Sequence, residues 1–304
     1  MAKKIFSALI IFTALGFLLL NIYKNFSEIR FYPWHYSSVN ILLLILFLIP
    51  IYFSNGLSWH LIVKALGGTV NLKVNLKVWM LSNLSRFIPG GFWQYPTRIL
   101  MSSNQRISKT IATTAVVVET LFNLLVGSLV VIVTILFFGI NIKQEAINFI
   151  GAMLLILLFF FYCLSSSKIL NSLLRILAKL LKKKIDRINL NSKYIPLLCL
   201  SFYLQFVLAG ASLFFLSRGV IELEFSQLPT FIGIYAASWL LGYITILAPG
   251  GLGIQEISIA AFLSNFMPLP LASILAITLR VCLYISEIFT IILVTILNKR
   301  KFLE

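Results

Sequence analysis

Negative charge is scarce in this chain. Its 304 residues include only nine Asp and Glu, two His and three Cys. So few acids and histidines leave little from which to build a metal centre or a hydrolytic cluster. Cys163, Cys199 and Cys282 lie in apolar surroundings with no CxxC or CxxH spacing, so they read as small buried hydrophobes rather than disulfide partners or ligands. His35 and His60 lie near span ends without a second ligand at useful spacing, which argues against zinc. Cofactor motifs are missing as well: there is no GxxxxGK[ST] or GxGxxG run, no GxSxG elbow, no HExxH and no aspartate-rich pair. The expectation is no catalytic residue, no metal and no cofactor, and a protein that is more transporter-like than enzymatic.

Polar stretches long enough for a soluble domain are absent too, and what fills the chain is hydrocarbon. Hydrophobic residues make up 60% and charged residues 11%, with a mean hydropathy of +1.00. Soluble domains run nearer half apolar and a quarter charged, so this is a membrane composition. The formal net charge of +16 would suggest nucleic acid on a soluble protein. Here the positives are explained by sidedness, because basic loops mark the cytoplasmic face. With no soluble basic domain carrying aromatic platforms, a nucleic-acid partner is excluded.

The spans follow from the apolar runs. Ile5 to Tyr23 reads as a retained first crossing with Lys3 and Lys4 holding the N-terminus inside. A second block, Val39 to Leu61, is interrupted by Pro50 and Asn55-Gly56. A third stretch, 78–100, is only moderately apolar and broken at its centre. Ile111 to Ile140 is long enough for a tilted helix, and Ile147 to Leu164 returns. Residues 168–193 carry eight basic residues against Asp186, with Leu-rich periodicity, and read as an amphipathic cytoplasmic segment. Tyr194 to Leu216 crosses outward to a loop with Glu222 and Glu224. Phe231 to Leu247 follows, then a half-length helix from Gly253 to Phe266, and Leu271 to Leu297 ends at the basic residues Lys299, Arg300 and Lys301.

Parity organises these pieces. With both termini and the 168–193 segment on the cytoplasmic side of the inner membrane, stretches 78–100 and 228–267 must each enter and leave on one side. The expected fold is an all-α polytopic membrane protein, one domain over 1–304, with six full transmembrane helices and two broken re-entrant hairpins. Eight ordinary spans remain the alternative. The two breaks resemble each other: FIPGGFWQYPTR has Pro89, Gly90 and Gly91, and ILAPGGLGIQEISIA has Pro249, Gly250, Gly251 and Gly253. Pro89 and Pro249 lie 160 residues apart, close to half the chain. In the parity scheme they approach from opposite faces, the pattern of an inverted repeat with broken helices at a central site. Two ordinary inter-helix turns would give the same string. Against them stands the constraint that broken backbone at membrane depth must be enclosed by protein or line a wet cavity.

Ionisable residues inside these blocks are the candidate site: Arg86, Arg98, Glu119, Glu256, Arg280 and Glu287, with Asn83 as a neutral neighbour. A single such group can snorkel to an interface, but groups this deep face partners or a wet path. Glu256 with Arg280, and Arg98 with Glu119, are plausible cross-helix pairs. They either lock the bundle or line a cavity for a charged headgroup, with arginine as the phosphate clamp. Gln94, Tyr95 and Gln255 would add hydrogen bonds, and Trp93 and Trp239 either line the cavity or anchor at the interface.

At SNLSRFIPGGFWQYPTR (82–98), VVVETLFNLL (116–125) and LAPGGLGIQEISIAAF (247–262), the chain resembles the flippase-like transmembrane region of lysylphosphatidylglycerol synthases. PGGLG followed closely by Glu256 is the most specific element, and the likeness runs from about Lys4 to Leu297. The resemblance implies a domain that moves aminoacylated phosphatidylglycerol, or related lipids, between leaflets through a cavity made by broken helices. By position it points to Asn83, Pro89, Gly90, Arg98, Glu119, Pro249, Gly250, Gly251, Gly253 and Glu256. Two positions depart from the family's habit. Asn123 stands where an acid is frequent, and Gln255 where a basic residue is frequent. The sequence reaches Glu304 without a stretch for the soluble aminoacyl-transferase domain, so the implied role is movement of lipid rather than its synthesis. The expected partners are membrane lipids, whether an anionic or aminoacylated phospholipid or a glycolipid, together with a separate lipid-modifying enzyme. A membrane-embedded scaffold for such an enzyme, and an integral lipid transferase, are the competing readings.

Overall fold

The computed structural model describes residues 13, 16–88, 92–138, 190–245 and 249–297. Four expectations lie outside the described residues in whole or in large part. They are the start of the first crossing, the crossing at 147–164, the basic 168–193 segment and the basic C-terminal end. Cys163 and the Pro89-Gly90-Gly91 break lie outside as well.

After a helical stretch at 16–24 and a short helix, Phe26–Arg30, eight helices carry the described chain. They are α1 (Ser38–Ala65), α2 (Leu72–Asn83), α3 (Gln94–Asn104), α4 (Lys109–Phe138), α5 (Ile195–Ser217), α6 (Leu228–Ile244), α7 (Ile254–Leu263) and α8 (Leu269–Leu297). Their starts are encoded locally. Ser37 accepts the Asn40 backbone N–H at 3.1 Å to open α1, and Asn71 accepts that of Val74 at 3.0 Å to open α2. Proline in the first turn, where no backbone donor is lost, begins α5 and α6.

Among the described residues, four helices are long and apolar enough to cross a membrane, at Ser38–Ala65, Lys109–Phe137, Ser192–Ser217 and Leu269–Ile296. The protein is therefore an all-α polytopic membrane protein. The block around Pro50 differs from its sequence reading, because α1 runs unbroken through Pro50, Asn55 and Gly56. Asn55 folds back to donate to the Ile51 carbonyl at 2.9 Å. Gly56 serves packing: a Cβ there would lie 2.5 Å from the Leu76 side chain of α2. One proline costs a helix a single backbone bond, which packing on the rest of a 28-residue helix readily offsets.

Lipid tails are as apolar as leucine, so the bundle is held by close approach and interhelical hydrogen bonds rather than by hydrophobic burial. Helix α5 sits at its centre, packed against α1, α4 and α6. At Gly210 a Cβ would stand 2.3 Å from the Ile232 Cα of α6, so backbone meets backbone there. Ser54 and Ser58 of α1 donate to the Ser201 carbonyl and hydroxyl of α5 at 3.0 and 2.9 Å. Away from this centre the helices turn large apolar side chains outward, as α8 does with Ile285, Ile288 and Ile292.

The two interrupted stretches are built from short pieces. Helices α2 and α3 have 12 and 11 residues, and a 3-10 turn (Leu84–Phe87) follows α2. At 1.5 Å per residue each helix is only about 16–18 Å long, well short of a bilayer core of about 30 Å. The second stretch joins α6 to the ten-residue α7 through a 3-10 turn, Pro249–Gly251. Gly250, Gly251 and Gly253 have φ of 61°, 70° and 86°, the left-handed region open to glycine at little cost. Gly251 also lies against Gly242 of α6, where a Cβ would come within 3.1 Å of backbone. The second Pro-Gly-Gly string is thus a folded-back turn seated on a helix. The expected helix from Gly253 to Phe266 is shorter in the structure: α7 ends at Leu263, before the prolines, and Pro268 and Pro270 bracket the first residue of α8.

Candidate functional site: a polar cavity framed by three ion pairs

The six ionisable residues singled out in the sequence come together in three ion pairs. Arg98 of α3 pairs with Glu119 of α4. Arg280 of α8 pairs with Glu256 of α7. Arg86, in the turn after α2, pairs with Glu287 of α8. Arg280 and Glu287, two helical turns apart on α8, therefore present one face to both broken segments.

Each carboxylate is held at both oxygens. Glu119 accepts from Arg98 and from the Trp79 indole N–H at 2.7 Å. Glu287 accepts from Arg86 and from Asn83 Nδ2 at 2.7 Å. Glu256 accepts from Arg280, and its other oxygen takes the Gly253 backbone N–H at 2.7 Å. That last contact is the acidic half of a capping arrangement at the start of α7. One side chain thus fixes both the helix start after the break and the arginine facing it.

The arginines differ in how far they are enclosed. Arg98 is the most enclosed: Nε donates to Ser82 Oγ at 2.9 Å, the guanidinium lies 5.2 and 5.1 Å from the Trp59 and Trp79 rings, and the side chain is 3% exposed. Arg86 and Arg280 keep 19% and 14% exposure, while their carboxylates keep 2% each. Both guanidiniums lie 5.6 Å from the ring of Tyr284, so the two cations share one aromatic ring. Arg280 Nη1 reaches the Gly250 carbonyl at 3.4 Å, and its buried Nη2 has no partner among the described residues.

These groups border a cavity of about 730 Å3, within the range of about 300–1,000 Å3 usual for ligand pockets. Each of the eight helices contributes to its wall. Arg86, Arg98, Glu119, Arg280 and Asn83 line it, whereas Glu256 and Glu287 stand behind their arginines. Gln94, Tyr95, Gln255 and Trp239 line it too, as do Gly250 and Gly251 of the second break. Trp93 is absent from the lining; it stacks on Phe92 with centroids 4.9 Å apart.

Several wall residues had no signal in the sequence. Tyr243 donates to Thr120 Oγ1 at 3.2 Å and so accepts from the Tyr95 hydroxyl, 2.8 Å away. Gln205 donates to Asn123, and Trp239 stacks on Tyr243 with centroids 4.6 Å apart. Tyrosine and tryptophan in an apolar run look the same whether they anchor at an interface or line a cavity, and Trp79 gave no hint of holding Glu119. Among the described residues, no three His, Cys, Asp or Glu side chains are grouped to hold a metal. Cys199 and Cys282 are free thiols, half-buried.

The fold and this interior define a class: a multi-pass helical membrane protein with a polar, ion-paired interior between broken helices. The chain belongs to the family described as the lysylphosphatidylglycerol synthase TM region, whose model matches residues 4–292. That description names the membrane part of a lipid synthase, and membrane lipids are accordingly the partners its family association suggests. No curated protein matches the chain significantly.

Proposed function

We propose that the protein is a lipid flippase, moving a phospholipid or lipid-linked headgroup between leaflets by way of this cavity. The observation that carries the reading is the asymmetry of exposure within the ion pairs. In the Arg86–Glu287 and Arg280–Glu256 pairs the arginines meet the cavity and the carboxylates do not, so a headgroup entering there meets positive charge. Arginine's planar fork suits phosphate oxygens, and it holds its proton at any accessible pH. The acyl chains would stay in the bilayer while the headgroup passes through protein, which lowers the cost of taking a charge across hydrocarbon.

In this reading the short helices α2, α3 and α7 are half-helices of two re-entrant hairpins, related as inverted repeats, beside six full crossings. Both termini and the basic 168–193 segment lie on the cytoplasmic side of the inner membrane. No nucleotide-binding motif accompanies the cavity, so movement runs down a gradient of lipid or of a coupled ion. The chain carries no chemistry of its own, and a separate enzyme makes the lipid.

Reconstitution into liposomes with a panel of head-labelled lipids tests this. The intact protein is expected to move at least one lipid class to the inner leaflet, and Glu256→Gln and Arg98→Ala to lose that movement. Folded protein that transfers no lipid would overturn the proposal.

A further inference from the structure

The cavity has two chemically distinct ends, and together they select a headgroup. Resting on the flippase reading, we infer that the substrate is a lipid phosphodiester bearing a neutral polyhydroxyl group, not a cationic aminoacyl or amine headgroup.

The cationic end is the Gly250 turn. There Arg280 has an unpartnered Nη2, and Arg86 is the most exposed of the three arginines. An anionic phosphate completes this end, accepting donors that the protein leaves available.

No matching anionic end exists among the described residues. A headgroup ammonium would need a carboxylate whose charge is free, and Glu119, Glu256 and Glu287 are each paired with an arginine and accept a hydrogen bond at both oxygens. Only Glu119 lines the cavity, and its side chain is just 9% exposed between Trp79 and Arg98. Bringing an ammonium against buried acids whose charge an arginine already balances costs its hydration without a full replacement.

The cavity wall is also rich in hydroxyls, in the stretch where Thr120 follows Glu119 on α4. Tyr95, Tyr243 and Thr120 form a hydroxyl chain with links of 2.8 and 3.2 Å. Every hydroxyl both donates and accepts, so the chain can re-pair with the hydroxyls of a polyol without orphaning a group. Trp239 and Tyr243 offer stacked aromatic faces to its C–H surface. The two ends are neighbours: Gly242, adjacent to Tyr243, lies against Gly251, adjacent to Gly250. Both ends line the same cavity.

Glycerol or inositol on a phospholipid, and a sugar on a polyprenyl phosphate, share this chemistry. The test uses the full chain in nanodiscs, with competition against a fluorescent short-chain phosphatidylglycerol. Competitors are phosphatidylglycerol, phosphatidylinositol, a polyprenyl phosphosugar, phosphatidylethanolamine, lysyl-phosphatidylglycerol and phosphatidate. At least one polyol lipid should bind roughly tenfold more tightly than either amine-bearing lipid. Tyr243→Phe and Tyr95→Phe should each weaken polyol binding roughly three- to tenfold and leave phosphatidate unchanged. Phospholipid polyols winning, or the phosphosugar winning, identifies the source, and either outcome supports the inference. Amine lipids binding as tightly as polyol lipids would overturn it, with wild-type protein alone. So would a polyol preference that survives both tyrosine changes. Transport is read separately in vesicles: selective binding without movement rejects the flippase reading and keeps the headgroup class, while movement indifferent to headgroup does the reverse.

Discussion

Glu256 is the residue whose change has the most readable consequence. Its carboxylate is 2% exposed and makes two charge-assisted hydrogen bonds, one to Arg280 and one to the Gly253 backbone N–H at 2.7 Å. In Glu256→Gln the amide oxygen can keep the Gly253 contact, so the start of α7 survives. The amide NH2 is then left facing the Arg280 Nε–H, donor against donor. A charge-assisted bond contributes about 1.5–3 kcal/mol, and breaking a fully buried ion pair costs about 3–5 kcal/mol. Arg280 is 14% exposed, and partial hydration of the released guanidinium places the cost at the low end, about 2–3 kcal/mol. Arg280→Gln should cost about 3 kcal/mol or slightly more, because the orphan it leaves is the better-buried carboxylate. In the double variant two amides meet and can pair. Its cost should fall short of the two single costs added together by about 2 kcal/mol. Reversible unfolding of the purified chain in mixed micelles measures all four species. Additivity within about 0.5 kcal/mol would refute the reasoning, because it would mean that the two side chains do not depend on each other.

Three further outcomes follow from the same geometry. Arg98→Ala leaves Glu119 buried with only the Trp79 indole, so it should destabilise by about 3–5 kcal/mol and lower the yield of folded protein in detergent, read by size-exclusion profile. Gly210→Ala drives a methyl to within 2.3 Å of the Ile232 Cα, where backbone has to move; a loss of about 1–3 kcal/mol is expected in the unfolding assay. Gly250→Ala meets only Arg86 Cδ, at an ordinary contact distance of 3.8 Å, and bears only the strain of φ +61°, about 1–2 kcal/mol.

The ionisable residues were legible in the sequence because hydrocarbon makes them expensive: an Arg or Glu in an apolar run has to be partnered or wet. Arg98 with Glu119 and Glu256 with Arg280 are also close enough in chain order to be matched by eye. Arg86 with Glu287 was not legible as a pair, since 201 residues separate them and no periodicity links a turn after α2 to the middle of α8. The breaks were visible because Pro-Gly-Gly cannot continue a helix, and the left-handed φ values at Gly250 and Gly251 supply the physical reason at the second one. The same rule overreached at Asn55-Gly56, where one glycine inside a long packed helix serves a close contact instead of a turn. The hydroxyl chain of Tyr95, Tyr243 and Thr120 was the least readable part. It depends on which faces of α3, α4 and α6 meet, and tertiary packing alone decides that.

The most direct test of the central claim asks whether a lipid headgroup enters the cavity at all. A phosphatidylglycerol carrying a photoreactive group on its glycerol, activated in vesicles containing the intact protein, should label peptides around Tyr243, Gly250 to Glu256 and Arg280 to Tyr284. Excess unlabelled lipid should suppress that labelling. Labelling confined to the outward face of α8, at Ile285, Ile288 and Ile292, which are 62%, 54% and 52% exposed, would place the lipid only around the protein and contradict the account.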